Sequence, residues 1–397
     1  MEKVRVGVIG IGNMGTGHVR SFCNGDLPDF ELTAICDLKS DRLSWMCEEI
    51  KGIYSSKNVE KALPNCYTDA IEMLASGDID AVIIATPHYD HPVYVIEAIK
   101  RGIHVLSEKP AGVYTEKVRE AIEVSKAHPE VVYAMMFNQR TDPMYIKMKE
   151  LVSSGEIGEI KRTSYIITDW YRPQAYYDSG SWRATWKGEG GGVLLNQCPH
   201  NLDLWQWICG MPKVVEAKLH YGKWHDIEVE DDVTVYVEYE NGATGTFVTS
   251  TGDAPGTNRF EILGDKGKLV CERNTGKLIL VKNEIAESEF RNNAPAAFSS
   301  PKTQTTVFDI PSRGPQHVGV LRAFGGAILR GEPLVAEGCE GINGLMLSNA
   351  MHLSSFLGRA VELPIDEALF RTLLEERIKT SRYKSVEDKV SDTEGTY

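Results

Sequence analysis

The chain reads as two α/β units in series. A doubly wound parallel sheet comes first, followed by an α+β domain with a large open, mainly antiparallel sheet. Three observations predict this. A short apolar run opens the chain and passes at once into a glycine-rich turn. Apolar strand-like segments then alternate with amphipathic helix-like ones to about residue 140. Beyond that point the pattern changes to short alternating strands joined by hairpin turns.

The opening run and turn are Val4–Gly15 (VRVGVIGIGNMG), with glycines at 10, 12 and 15. Gly10 suits a tight turn out of a buried strand, Gly12 lets a pyrophosphate approach the backbone, and Gly15 lets the following helix lie close to the sheet. Asn13 and Met14 fall in the first helical turn, where unpaired N–H groups and the positive dipole end favour phosphate. A second strand-like run, Glu31–Cys36, ends at Asp37, 22 residues beyond Gly15. A carboxylate there accepts hydrogen bonds from both ribose hydroxyls of NAD and repels the 2′-phosphate of NADP. The plainer role for Asp37 is a cap on the helix-like run Ser40–Ile50. Lys39 and Arg42 lie close by and soften the preference for NAD.

The remaining first-domain elements follow in order: helix-like Asp69–Ala75, strand-like Ala81–Ala85, a helix near Pro92–Arg101, strand His104–Leu106, helix Thr115–Ala127 and strand Val131–Phe137. Strands apolar on both faces, alternating with helices, imply a parallel sheet covered on both sides. Ligands of such sheets bind beyond the C-terminal strand ends. The chemistry is therefore expected at Gly10–Gly15, Asp37, Thr86–His91 and Ser107–Pro110.

In the second domain, Ile160–Asp169 alternates like a strand. Asp232–Glu240 and Ala243–Ser250 form a hairpin through Asn241-Gly242. Arg259–Leu263, Lys268–Cys271 and Lys277–Val281 continue the meander. Residues 283–315 carry four prolines and little apolar periodicity, which predicts a long loop or arm. Helical patterns return at Val318–Leu329 and Gly344–Leu357, and the tail beyond Arg382 is polar. The expected division is residues 1–140, 141–365 and a C-terminal helix and tail over 366–397.

Bulk properties narrow the class. The 397 residues carry 43 basic and 56 acidic side chains, a net charge of −13, with no basic stripe interleaved with aromatics. Nucleic acid is an unfavourable partner for such a surface. None of the eight cysteines sits in a CxxC pair, as expected of reduced thiols in a cytoplasmic protein. The first strand begins within a few residues of Met1, so no signal peptide is expected. No apolar run approaches the roughly 20 residues of a membrane helix. The open sheet predicts a homodimer or homotetramer.

With Glu108-Lys109-Pro110 after the fifth strand-like run, and Gly190-Gly191-Gly192 followed by Asn196-Gln197-Cys198-Pro199-His200 and Asp203, the chain resembles the glucose–fructose oxidoreductase/inositol dehydrogenase/MocA family. The resemblance runs from Val4 to about residue 365. It implies a Rossmann domain binding NAD(P), a C-terminal domain whose open sheet often forms a subunit interface, and redox chemistry on a hydroxyl of a sugar or cyclitol. It assigns Lys109 to the substrate hydroxyl and nicotinamide region and His200 as general acid/base. Thr86, Pro87, His91 and Glu108 fall beside the coenzyme. Many members carry Asp four residues before this histidine. Here the residue is Asn196, which can orient a hydroxyl but brings no charge, and Asp203 is the nearest candidate to supply it.

Those residue types suit alcohol oxidation. A base must take the hydroxyl proton, and histidine titrates near neutrality. A lysine ammonium stabilises the developing alkoxide. The plainer roles are a surface lysine in a turn and a buried histidine at a helix start. The glycine run beside His200 predicts close approach of backbone to a ligand. His88-x-Asp90-His91 is a weak metal pattern without a second ligand cluster, so no metal is expected; Asp90 also suits a helix cap. The segment 169–186 is rich in aromatics and arginine. Trp170, Tyr171, Tyr176, Tyr177, Trp182 and Trp186 suit stacking on sugar faces, and Arg172 and Arg183 suit hydroxyls or an anionic substituent. The same composition suits a subunit interface. Three functions stay open: an NAD-dependent oxidoreductase acting on a sugar, cyclitol or glycoside; a glycoside hydrolase using held NAD through oxidation, elimination and re-reduction; and a non-catalytic NAD- or sugar-binding sensor.

Overall fold

Strand segments that are apolar on both faces build the first sheet. The computed structural model describes residues 3–382, and the polar tail beyond Arg382 lies outside them. Among the described residues this sheet contains β1 (Val4–Ile9), β2 (Phe30–Cys36), β3 (Asn65–Tyr67), β4 (Ala81–Ile84), β5 (His104–Ser107) and β6 (Tyr133–Met135). All its pairings are parallel, in the order β3-β2-β1-β4-β5-β6. α1 (Asn13–Cys23) and α2 (Ser40–Ser56) cover one face through Val19, Phe22, Leu43, Met46 and Ile50. α3 (Ala70–Ala75), α4 (His91–Ile99) and α5 (Thr115–Ala127) cover the other through Met73, Val95, Ala98 and Val118. Strand order reverses between β1 and β4, which opens a crevice at their C-terminal ends.

The second sheet is mixed. After α6 (Pro143–Ser153) come β7 (Ile160–Ile167), α7 (Gln174–Tyr177), α8 (Pro199–Cys209), β8 (Val214–Tyr221), β9 (Glu230–Glu238), β10 (Thr244–Ser250), β11 (Asn258–Gly264), β12 (Gly267–Glu272) and β13 (Lys277–Asn283). Then follow α9 (Glu287–Asn293), β14 (Thr303–Asp309), α10 (Gln316–Arg330), α11 (Gly341–Leu357), β15 (Val361–Glu362) and α12 (Glu367–Thr380). The order is β14-β13-β12-β11-β7-β10-β9-β8-β15, antiparallel except for β7 against β10. The Asn241-Gly242 hairpin forms as expected, with Gly242 at φ +82° and Tyr239 N donating to the Ala243 carbonyl at 2.9 Å.

Two features differ from the pattern read along the chain. Residues 283–315 are not a plain loop: they hold α9 and the edge strand β14. Side chains of β14 are nearly all exposed, so the strand is held by main-chain bonds to β13 and leaves no apolar alternation to read. Helix α10 returns to the first sheet, where Val320, Leu321 and Phe324 join the core beside Phe30. That return places His317, at the start of α10, next to His18 of α1.

Candidate functional site

The glycine turn between β1 and α1 performs two of its expected jobs within the protein itself. Gly10 has φ +93°, and a Cβ there would meet the Ala85 carbonyl at 2.5 Å; a Cβ on Gly15 would collide with the Gly10 carbonyl. Gly12 differs, because a Cβ would meet nothing within 4 Å. It is the N-cap of α1, which has no side-chain cap hydrogen bond, so open space lies at the start of the helix. Asp37 at the end of β2 accepts from Ile11 N at 2.8 Å and Lys39 N at 2.9 Å, with Arg42 Nη1 3.6 Å away. The carboxylate thus anchors the turn and retains lone pairs for further donors. Although Ser40 begins a helix there, the N-cap is Lys39 and not Asp37.

The loops after β4 and β5 are tied to each other. Both ring nitrogens of His91 bond backbone carbonyls, Pro110 at 2.7 Å and Thr86 at 2.8 Å. His91 therefore stitches two loops and has no nitrogen left for a metal. Asp90 is the N-cap of α4 but makes no capping bond with its side chain. Among the described residues no group of three or more metal-ligating side chains occurs. Thr86 Oγ1 is buried without a partner, and Pro87 beside it is exposed. Glu108 is buried and accepts from His18 Nε2 at 2.8 Å. Burial alone raises its pKa, but the His18 bond and the charges of His18, His317 and Lys109 outweigh this and hold it at about 2. Burial also lowers His317, to about 4.

Lys109, one residue on, precedes a cis Pro110. Its Nζ donates to the Asn196 carbonyl at 2.9 Å, crossing from the first domain to the second. Burial lowers its pKa, against the pull of Glu108 and Glu189. Asn196 lies at the end of the loop leading to α8. Its amide donates to Glu189 in a short hydrogen bond and does not reach toward His200. His200, in the first turn of α8, is 2% exposed, and neither ring nitrogen has a partner. Burial first, then the Lys109 charge, depresses its pKa well below the ordinary value, so the ring is neutral at pH 7.

Two expectations for this region are corrected. Asp203 does not serve His200: it forms a buried two-bond ion pair with Arg140 at 2.7 and 2.8 Å. The glycine run does not offer its backbone to a ligand. A Cβ on Gly190 would strike Val113 and one on Gly192 the Glu230 carbonyl. Glu230 also accepts from Gly192 N and Leu194 N and pairs with His352 at 3.0 Å, so the run is packed against protein.

A residue missed in the sequence stands at the centre. Glu189, 1% exposed, accepts from Ala184 N and the Asn196 amide, and its backbone carbonyl bonds His88 Nδ1 at 3.1 Å. Burial raises its pKa. The available signal was an acid inside the glycine-rich stretch 188–192.

The aromatic segment divides. Tyr177 and Trp186 enter the hydrophobic core, and Trp170 donates to Asn201, so these do not form an open stacking surface. Tyr171 is 48% exposed. Arg183 lies over the rings of Tyr176 and Trp182 at 4.5 and 4.7 Å, and Arg172 lies over Trp170 and Tyr176 at 5.5 and 5.2 Å. Trp182 meets His88 edge-on at 6.3 Å. The Nε atoms of both arginines are buried without partners, and both arginines act on the charge of Lys109.

This two-domain geometry agrees with comparison to known proteins. Residues 4–136 match the oxidoreductase family with an NAD-binding Rossmann fold, and residues 145–270 match the GFO/IDH/MocA C-terminal domain. The chain belongs to the GFO/IDH/MocA family. Myo-inositol 2-dehydrogenase of Thermotoga maritima is 27% identical over 368 residues, covering 91% of this chain and 98% of that protein. The WlbA dehydrogenase of Chromobacterium violaceum, solved with NADH and UDP-GlcNAcA, is 26% identical with a TM-score of 0.76, covering 92% and 97% of the two chains. Levoglucosan dehydrogenase, solved with NADH and levoglucosan, shares the fold at 21% identity and a TM-score of 0.72, over 91% of this chain and all of that one.

As a member of the GFO/IDH/MocA family the chain is an NAD-binding oxidoreductase, and its crevice fits the coenzyme. The open space at Gly12, at the start of α1, suits a pyrophosphate, and the Asp37 carboxylate suits a ribose. Among the described residues no helix is long and apolar enough to cross a membrane.

Proposed function

We propose that this protein is an NAD-dependent dehydrogenase acting on a secondary hydroxyl of a sugar or cyclitol, with Lys109 and His200 at the reacting oxygen. One observation carries the reading. A lysine from the first domain, held by the Asn196 carbonyl, lies close enough for its charge to act on a buried histidine of the second whose two ring nitrogens lack partners. A buried imidazole left without any partner is costly unless a ligand completes it. The inositol dehydrogenase that aligns along nearly all of the chain supports the substrate class.

NAD, when bound, supplies the hydride acceptor. The protein's part is protonic and positional. His200 is neutral at pH 7 and takes the hydroxyl proton on an unpaired ring nitrogen. Lys109 uses one N–H on the Asn196 carbonyl and keeps two for the substrate oxygen, where they stabilise developing negative charge. Glu189 acts through Asn196: it accepts from the side-chain amide of the residue whose backbone carbonyl accepts from Lys109. The acid that many relatives carry four residues before the histidine is here replaced by this Asn–Glu pair. Arg172, Arg183, Tyr171 and Trp182 form the outer wall that meets the sugar.

The activity is tested on a panel of sugars, cyclitols and aryl glycosides, following NADH absorbance and aglycone release together. NADH accumulation supports the reading. Aglycone release without net NADH overturns it in favour of redox-neutral hydrolysis, and silence on both favours a sensor. Asp37→Ala weakens NAD more than NADP in equilibrium titrations; an unchanged ratio removes Asp37 from the ribose. Glu189→Gln lowers kcat by about ten- to a hundredfold through the misplaced lysine. Its NADH affinity, read by fluorescence, stays at the wild-type value.

A further inference from the structure

Cys47 on α2 and Cys66 on β3 place their sulfurs 3.3 Å apart, both as free thiols. Cys66 is exposed and Cys47 half-buried, so a small oxidant reaches the pair. A disulfide needs a sulfur separation of about 2.05 Å, so the two sulfurs must close by about 1.3 Å, through side-chain rotation and approach of the two elements. The movable partner is β3, a three-residue strand at the edge of its sheet. Its next residue, Tyr67, accepts through its carbonyl from Asp37 N at 3.2 Å. Helix α2 starts three residues after Asp37. The two tethered elements therefore flank the carboxylate at the ribose end of the crevice.

We propose that Cys47 and Cys66 form a reversible disulfide site that responds to disulfide oxidants and weakens NAD binding by displacing Asp37. The Cys66 thiolate attacks one sulfur of the oxidant, whose S–S bond breaks and releases a thiolate. Cys47 then loses its proton to solvent and attacks the Cys66 sulfur, expelling the second thiolate. Two protein thiols are oxidised and one oxidant disulfide is reduced. Burial and the neighbouring sulfur push the Cys66 thiol up to about 11, so exchange speeds up with rising pH.

The coupling to NAD rests on Asp37 facing the ribose, which the Asp37→Ala titration tests separately. The full chain is incubated with oxidised glutathione at mildly alkaline pH, then mapped as non-reduced peptides and titrated with NADH. The expected result is a 47–66 linked peptide that dithiothreitol reverses, with about a fivefold rise in the NADH Kd. Cys47→Ser and Cys66→Ser each lack the link and keep their affinity under oxidation. Glutathione held on Cys66 with no 47–66 link overturns the disulfide. A linked protein with unchanged Kd overturns the coupling.

Discussion

Lys109→Ala lowers turnover at least about a hundredfold, the scale of losing a preorganised charge at a developing oxyanion. NADH binding, followed by fluorescence titration, stays close to wild type on the proposed reading, in which Gly12 and Asp37, and not Lys109, hold the phosphates and ribose. The effect is expected on kcat and not on the coenzyme's Kd, since Nζ is held by the Asn196 carbonyl of the second domain, on the side proposed for the substrate oxygen. The variant also strands the Asn196 carbonyl, which tests whether the two domains are held at this point. A variant as active as the wild type would remove Lys109 from the chemistry.

His200→Asn has the second large effect, a loss in kcat/KM of about a hundred- to ten-thousandfold, as expected for a positioned base. Its pH signature is specific. Burial, reinforced by the Lys109 charge, places the pKa of His200 below the ordinary 6.5. The reactive form is the neutral ring, which is present above that pKa and lost as pH falls through it. The wild-type kcat/KM profile is therefore flat from neutrality down past pH 6.5 and declines only on more acidic ground. In His200→Asn that acid limb disappears. An acid limb centred at or above pH 6.5, or one that persists in the variant, would assign the base elsewhere.

Much of the coenzyme half was legible in the chain because its signals are local. A glycine at φ +93°, a glycine packed against a carbonyl and an acid ending the next strand sit within one βαβ unit. The same holds for the Asn-Gly hairpin and for Thr115–Ala127, whose helix bounds match the pattern read from sequence. The catalytic half was legible as residue types but not as partners. Asp203 sits on the same helix as His200, yet Arg140, brought in from a 3-10 turn after β6, captures it. Glu189 lies in a stretch whose glycines mark it as backbone-determined, while its carboxylate accepts from Ala184 N and the Asn196 amide. His18 and His317 come together across most of the chain's length only because α10 folds back on the first sheet.

Sequence alone determined the two-sheet architecture and the glycine turn at the C-terminal end of β1. Periodicity and turn chemistry are set by neighbours a few positions apart, and they act before any long-range contact forms. Only the tertiary structure decided which carboxylate serves which cation, that the glycine run faces protein, and that His200 is left neutral and unpaired. Those outcomes depend on burial and on side chains delivered from distant segments. The strength of a buried hydrogen bond or charge is set by its final surroundings, and spacing along the chain carries no record of them.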